Sequence, residues 1–394
     1  MRILITTIVD PKRSAYGRLH AFAGHLSKAH DVTILSVNDS WKGSQSAAKR
    51  YEEEFHKSLA GVDTAFLTEG EKSLVRQELF SKKPLKRFLS QRKPFDLILD
   101  YNTLSIGRRA QELGGGIPRI YDLADDLVDL VRSSPQLPRP IAPFAAMFAS
   151  RLISRSVRRA VFVTGTTGPL LDRYDVPQSK KRVIPNGIPE SFLVAVRKEQ
   201  IIDVRKEPGE FLIGYVGVLR EWVDFKPVFE AMKAVGQRFP VRLVIIGEEG
   251  DKEKVKGFAE SIGVGEHVTM LGTVPHDKIR DYLASCDCGI VPFAMTKTSD
   301  FALPLKIFEY FSAGISVISS PIRAVKDEFH DTVWVYENSD QLAKVLSDIR
   351  SDKAAARTMV EKGMKKVAGE FTWSGVLGKL DELVQVAGNR GMQH

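Results

Sequence analysis

The chain reads as two α/β domains, each built on a parallel sheet with helices on both faces. Three observations predict this. Its 394 residues exceed one ordinary domain, and 43% hydrophobic composition is enough to bury two cores. Short apolar runs alternate with helical patterns along the whole length, the rhythm of strands joined by crossover helices. That rhythm breaks once, between Asn186 and Gly209, where the sequence turns polar around Pro189 and Pro208 before a fresh alternation begins at Phe211.

Taken in order, the first-half strand candidates are 2–7, 31–37, 62–67, 95–100, 118–121, 160–164 and 182–184. Those of the second half are 211–216, 241–246, 267–270, 286–291, 316–319 and 332–335. These divide the chain into a first domain over 1–190, a second over 209–370 and a terminal segment over 371–394. In that segment Trp373, Val376, Leu377, Leu380, Leu383 and Val384 recur at helical spacing, which predicts an amphipathic helix. No short-period repeat interrupts the pattern.

Composition removes several classes. No run approaches the roughly 20 apolar residues needed to cross a bilayer, and the start enters a strand-like run rather than a signal peptide, so a cytoplasmic protein is expected. The two cysteines, Cys286 and Cys288, exclude a disulfide framework and a four-ligand zinc site; on one strand they would share a face. A formal charge of +8 points to an anionic partner: a nucleotide, a phospholipid surface or nucleic acid. Nucleic acid is the weakest of these, because no helix-turn-helix, zinc-finger or ribonucleoprotein signature is present.

Two segments of the second half carry chemistry. In 213–220, Gly217 follows a strand, where a glycine lets the backbone approach a ligand beyond the carboxyl end of a parallel sheet. A helix from about Asp224 aims its N-terminus there, and Arg220 and Lys226 are placed to contact a diphosphate. A plain strand-loop-helix joint with two solvated bases fits the same residues. The second segment, 299–314, predicts a short helix over 305–313 between Pro304 and Gly314. Lys306 and Glu309 share one face of it, suited to a phosphate and to ribose hydroxyls, or equally to a surface ion pair.

The run from Leu303 through Pro304, Lys306, Glu309, Tyr310, Ala313, Gly314 and Val317 resembles the donor-site motif of glycosyltransferase family 4. Gly217, Leu219 and Lys226 resemble, more loosely, that family's glycine strand end with its downstream lysine. Asn186-Gly187 resembles its interdomain hinge, and the Phe371 and Trp373 pair resembles the start of its terminal helix, which crosses back to the first domain. The resemblance implies the GT-B fold, two Rossmann-like domains facing each other across a cleft. It implies a nucleoside-diphosphate sugar as donor, with no cofactor and no metal, and transfer to an acceptor hydroxyl with retention. Glu309 would bind the ribose hydroxyls, while Arg220, Lys226 and Lys306 would neutralise the diphosphate. The donor sugar would face Asp300, Leu303, Pro304 and Leu305. Many relatives carry a glutamate where this chain has Phe301; either Asp300 beside it replaces that carboxylate, or the chain belongs to a branch that never used it.

In the first half, Asp122 and Asp125 follow a strand and, with Lys306, complete the candidate catalytic set; each aspartate also fits an acidic loop with a helix cap. The loop over 9–17 offers Lys12, Arg13 and Gly17 to an acceptor, either a sugar or a lipid-linked one. Two basic regions interleave with apolar residues: 82–93, with Leu85, Phe88 and Leu89, and 144–159, with Phe144, Met147 and Phe148. Either fits an anionic membrane surface or an ordinary domain helix with an apolar inner face. Two other readings compete with a transferase: a nucleotide-sugar epimerase of similar shape, and a binding protein that has lost catalysis.

Overall fold

A computed structural model describes residues 1–12, 14, 16–37, 55, 58–68, 74–134, 137–193, 204–219, 222–247, 252–274, 278–296 and 299–391. The chain forms two compact units, Met1–Asn186 with Ser374–His394, and Gly187–Trp373.

The first unit holds a seven-stranded sheet in the order β3-β2-β1-β4-β5-β6-β7. Its strands are β1 (Arg2–Thr7), β2 (Asp31–Ser36), β3 (Asp63–Phe66), β4 (Leu97–Tyr101), β5 (Arg119–Leu123), β6 (Phe162–Gly165) and β7 (Lys181–Val183), all paired in parallel. Its helices are α1 (Arg18–Leu26), α2 (Leu74–Phe80), α3 (Lys82–Ser90), α4 (Ile106–Leu113), α5 (Leu127–Arg132), α6 (Ala142–Arg159) and α7 (Gly168–Arg173). The central strands β1, β2, β4, β5 and β6 are buried on both faces, as crossover helices require, and the edge strands β3 and β7 are partly exposed. Carboxylates are buried with it. Asp100 at the end of β4 accepts from Arg119 of β5 at 2.7 Å and from Thr6 and Thr103. Glu78 of α2 accepts the amides of Leu104 and Ser105, so it caps α4 from another helix; burial pushes its carboxyl up to about 7 against those hydrogen bonds.

The second unit holds a six-stranded parallel sheet, β10-β9-β8-β11-β12-β13. The strands are β8 (Phe211–Val216), β9 (Val241–Ile246), β10 (Val268–Gly272), β11 (Cys288–Val291), β12 (Ser316–Ser319) and β13 (Trp334–Val335). They alternate with α8 (Lys226–Gly236), α9 (Lys252–Ile262), α10 (Ile279–Ala284), α11 (Lys306–Ser312), α12 (Arg323–Phe329), α13 (Ser339–Ser351) and α14 (Lys353–Glu370). Alternate residues of each strand feed two separate cores. Leu212, Val216, Val244 and Val291 pack on one face, and Phe211, Ile213, Leu243 and Ile290 on the other. The two cysteines do not share a face. β11 begins only at Cys288, and the preceding turn delivers Cys286 to the opposite core.

The chain enters and leaves the second unit at one place. Ile188 N donates to Phe371 O at 2.8 Å and Trp373 N to Ile188 O at 3.0 Å. A side chain on Gly187 would strike the Trp373 ring at 2.8 Å, so only glycine fits there. The last helix, α15 (Trp373–Gly391), then buries Val376, Leu380, Val384 and Ala387 within the first unit.

Candidate functional site

The strand order of the second unit reverses between β8 and β11, and there the sheet opens. β8 and β11 pair only at Ile213 with Cys288 and Gly214 with Gly289, whereas β11 stays paired with β12 as far as Val291 and Ser319. Such a switch point leaves a crevice beyond the carboxyl ends of the strands, where open α/β sheets take ligands. Tyr310 of α11 holds the fork: its hydroxyl donates to Ile290 O at 3.0 Å and accepts from Val216 N at 3.2 Å. Burial keeps that phenol protonated, well above its ordinary range. Gly289 is required beneath it, because a Cβ there would lie 2.3 Å from the ring.

One helical turn before Tyr310 stands Lys306. Its Nζ lies 4.0 Å from the centre of the Tyr215 ring and 5.1 Å from that of Phe293. A Cβ on Gly217 would be 3.2 Å from the same nitrogen. Part of the side chain reaches solvent, yet the ammonium is walled by rings and backbone. That desolvation brings it down to about 7, opposed by the nearby Glu309 carboxylate; attraction to the ring faces also favours the charged form. Among the described residues Lys306 makes no ion pair, so its charge is open to an anion.

The backbone around it is a glycine ladder. Gly217, Gly247 and Gly272 follow or end neighbouring strands β8, β9 and β10 with φ of 128°, 152° and 72°. Gly217 N donates to Ile246 O at 2.8 Å, and Gly247 N to Gly272 O at 2.9 Å. A Cβ on Gly247 would lie 2.2 Å from Gly217 O, so the two strand ends touch backbone to backbone. Of the three only Gly217 is expected from the sequence; the signal for the others is a glycine just after β9 and one closing β10.

The remaining candidates divide. Glu309 is half-buried, three residues from Lys306 on α11. Leu303, Pro304 and Leu305 lead into that helix, and among the described residues the amides of Leu303 and Leu305 meet no protein acceptor. Asp300 is partly committed, since its Oδ1 accepts from Arg323 N at 2.9 Å and holds the start of α12. Lys226 does not join Lys306 in the crevice by any contact: it is mostly exposed, with its Nζ 4.0 Å from Glu230 one turn along α8. Arg220 and Arg13 lie outside the described residues.

In the first unit Asp122, expected among the catalytic carboxylates, is a buried anchor at the end of β5. Arg18 grips it with two bonds of 2.8 and 2.7 Å, Thr164 donates to it, and both charged side chains are sealed from water. Arg18 also donates to Ile184 O and Pro185 O, so the pair ties α1 to β5 and to the segment after β7. Asp125 is different: it is exposed and accepts from Asn102 Nδ2 at 2.8 Å. Asn102, at φ 56°, also accepts from Ala124 N and so braces this loop. Lys12 leans over the Phe55 ring, and Gly17 precedes α1 in extended backbone. His20 bonds Pro11 O, and His25 pairs with Asp381 of α15.

Residues 196–366, which span nearly all of the second unit, match the family described as glycosyl transferases group 1. That match makes the second unit similar to group 1 glycosyltransferases, and the two parallel-sheet units have the GT-B fold. Among curated relatives, the chain is 21% identical over 190 residues to TuaH of Bacillus subtilis, named as a teichuronic acid biosynthesis glycosyltransferase, covering 47% of each. To the 2-deoxystreptamine N-acetyl-D-glucosaminyltransferase of Streptomyces fradiae it is 22% identical, over 43% of this chain and 42% of that one. The matched part thus spans less than half the length of these relatives. Whole-chain likeness comes from solved structures. Anabaena HepE in complex with UDP superposes with a TM-score of 0.69 at 16% identity, over 98% of this chain and 100% of that one. Sucrose-phosphate synthase of Thermosynechococcus elongatus does so with a TM-score of 0.72 at 15% identity, over 98% of both.

Proposed function

We propose that the protein is a glycosyltransferase that moves a sugar from a nucleoside-diphosphate sugar to an acceptor hydroxyl. The observation that carries this is the Lys306 ammonium, unpaired among the described residues and held against Gly217 at the switch-point crevice of a unit whose sequence matches group 1 glycosyltransferases. That HepE is crystallised with UDP and with UDP-glucose supports a nucleotide sugar as the ligand.

In this reading the diphosphate lies over the glycine ladder, where the absence of side chains admits it and Lys306 offsets its charge. The amides of Leu303 and Leu305, unbonded among the described residues, face the donor sugar, and Glu309 accepts the ribose hydroxyls. The acceptor oxygen bonds to the anomeric carbon as the bond to the diphosphate breaks. The leaving group departs as the nucleoside diphosphate, stabilised by positioning and fixed charge. Asp125, Lys12 and Gly17 stay as acceptor-side proposals. Retention and independence from metal enter through the family resemblance.

The test is thermal unfolding of the wild type and Glu309→Ala with a panel of nucleoside diphosphates and nucleotide sugars. Ligand at 100 times its dissociation constant adds about 2.7 kcal/mol. A base-selective shift that the variant loses supports the donor site, and NMR of the product's anomeric centre then reads retention. No shift with any nucleotide overturns the proposal.

A further inference from the structure

The two basic amphipathic regions, alike as sequence, are unlike in the fold. In α3 the large apolar side chains face inward, Leu85 at 0% exposure and Phe88 at 8% with Leu89 half-buried, and the exposed residues are Lys82, Lys83, Lys86, Arg87 and Ser90. In α6 the inward face is lined by Ala142, Ala146, Ala149, Leu152, Ile153 and Val157, all buried. Its large apolar residues point the other way: Phe144 is 68% exposed, Met147 49% and Phe148 46%, with Ile141 just before the helix at 52%.

The outward residues form one stripe. Positions 141, 144, 148, 151, 155 and 158 alternate steps of three and four, the spacing of a single helix face, and read Ile, Phe, Phe, Arg, Arg, Arg. The N-terminal half of the stripe is therefore apolar and the C-terminal half cationic. Charge is one-sided over a much longer stretch: from Leu130 to Leu171 there is no aspartate or glutamate, while Arg132, Arg139, Arg151, Arg155, Arg158 and Arg159 all fall within it. Arg159 pairs with Glu112, and the other five make no ion pair among the described residues.

We propose that this face of α6 docks on an anionic lipid bilayer, with Ile141, Phe144, Met147 and Phe148 entering the interface and Arg151, Arg155 and Arg158 resting among the lipid phosphates. An exposed aromatic cluster with arginines along the same stripe is the composition that binds a charged interface. No helix among the described residues is long and apolar enough to cross the membrane. A second copy of the chain fits this face poorly, because pairing two such stripes gathers arginines with no carboxylate on either to offset them. The inference is independent of the donor site, since α6 belongs to the first unit.

The experiment is flotation of the full chain with vesicles of phosphatidylcholine alone and of an equimolar mixture of phosphatidylcholine and phosphatidylglycerol. The wild type should float with the mixed vesicles at low salt and stay down with the neutral ones. Phe144→Ser with Phe148→Ser, and separately Arg151→Glu with Arg155→Glu, should each weaken binding by at least about tenfold while leaving the melting temperature unchanged. Equal binding by these variants, or no binding by the wild type, overturns the proposal. Sedimentation velocity provides the other arm: a concentration-dependent dimer that Phe144→Ser with Phe148→Ser dissolves, without vesicle binding, would assign the face to a second copy. Nucleotide-induced thermal shifts on the same preparations report the donor site separately, so either reading can fail without the other.

Discussion

Lys306 and Gly217 are fitted to each other: the lysine Nζ stands 3.2 Å from where a Cβ on the glycine would lie, and the glycine holds φ at 128°, a value side chains rarely adopt. Gly217→Ala therefore both strains the strand end and pushes on the ammonium. It should cost more than about 1 kcal/mol in chemical denaturation and lower nucleotide affinity at least tenfold. Wild-type affinity in this variant, measured by calorimetry, would remove the crevice from the donor site.

Lys306 should also link donor binding to protons. Its folded value is lowered to about 7 from 10.5, so between those values the unfolded chain binds more protons than the folded one. Stability of the ligand-free protein should accordingly rise with pH over that interval, and Lys306→Met should flatten the slope. A diphosphate needs the charged form, so binding near pH 8 should take up a proton and weaken as pH rises. Calorimetry in buffers of different ionisation enthalpy measures the uptake; none at pH 8 would show that the ammonium does not meet the ligand.

Asp122→Asn should act on stability. Removing one partner of a sealed ion pair leaves a charge without compensation, at a cost of roughly 3–5 kcal/mol. Urea denaturation reads it directly. Loss of activity with a stability change under about 1 kcal/mol would return Asp122 to the catalytic set, alongside Asp125.

Tyr310→Phe removes the hydroxyl between Val216 N and Ile290 O and leaves both groups buried at the fork of β8 and β11. A loss of about 1–3 kcal/mol is expected, with a smaller nucleotide-induced shift, because the same fork shapes the crevice. Intact melting behaviour would mean the fork is held elsewhere.

Glu78 should impose a pH dependence of opposite sign to that of Lys306. Its folded value, raised from 4.5 to about 7, means that the folded chain holds the extra proton between those values. Its contribution is complete below about 4.5 and is lost as pH rises through 7. Glu78→Gln carries no charge but keeps an acceptor for only one of Leu104 N and Ser105 N, so it should start below the wild type at pH 5 and gain on it by about 2–3 kcal/mol by pH 8. Parallel stability curves for the two would overturn the assignment.

Periodicity along the chain was enough for both parallel sheets and for the α11 motif, because a strand's alternation and a helix's three-residue step are local. Lys306 and Glu309 share a face wherever that helix is put. Other features exist only once distant segments meet. Asp122 looks like any strand-end carboxylate until Arg18, 104 residues away, closes on it. Gly247 and Gly272 matter because three strand ends converge, and pairing between strands is not written in any one of them. Cys286 leaves its expected face because β11 starts two residues late. The helices α3 and α6 carry similar basic and apolar residues, and only the packing of the first unit decides that one buries its phenylalanine while the other turns two outward. Local propensity sets an element and its faces; which face meets water is set by what the rest of the chain packs against it.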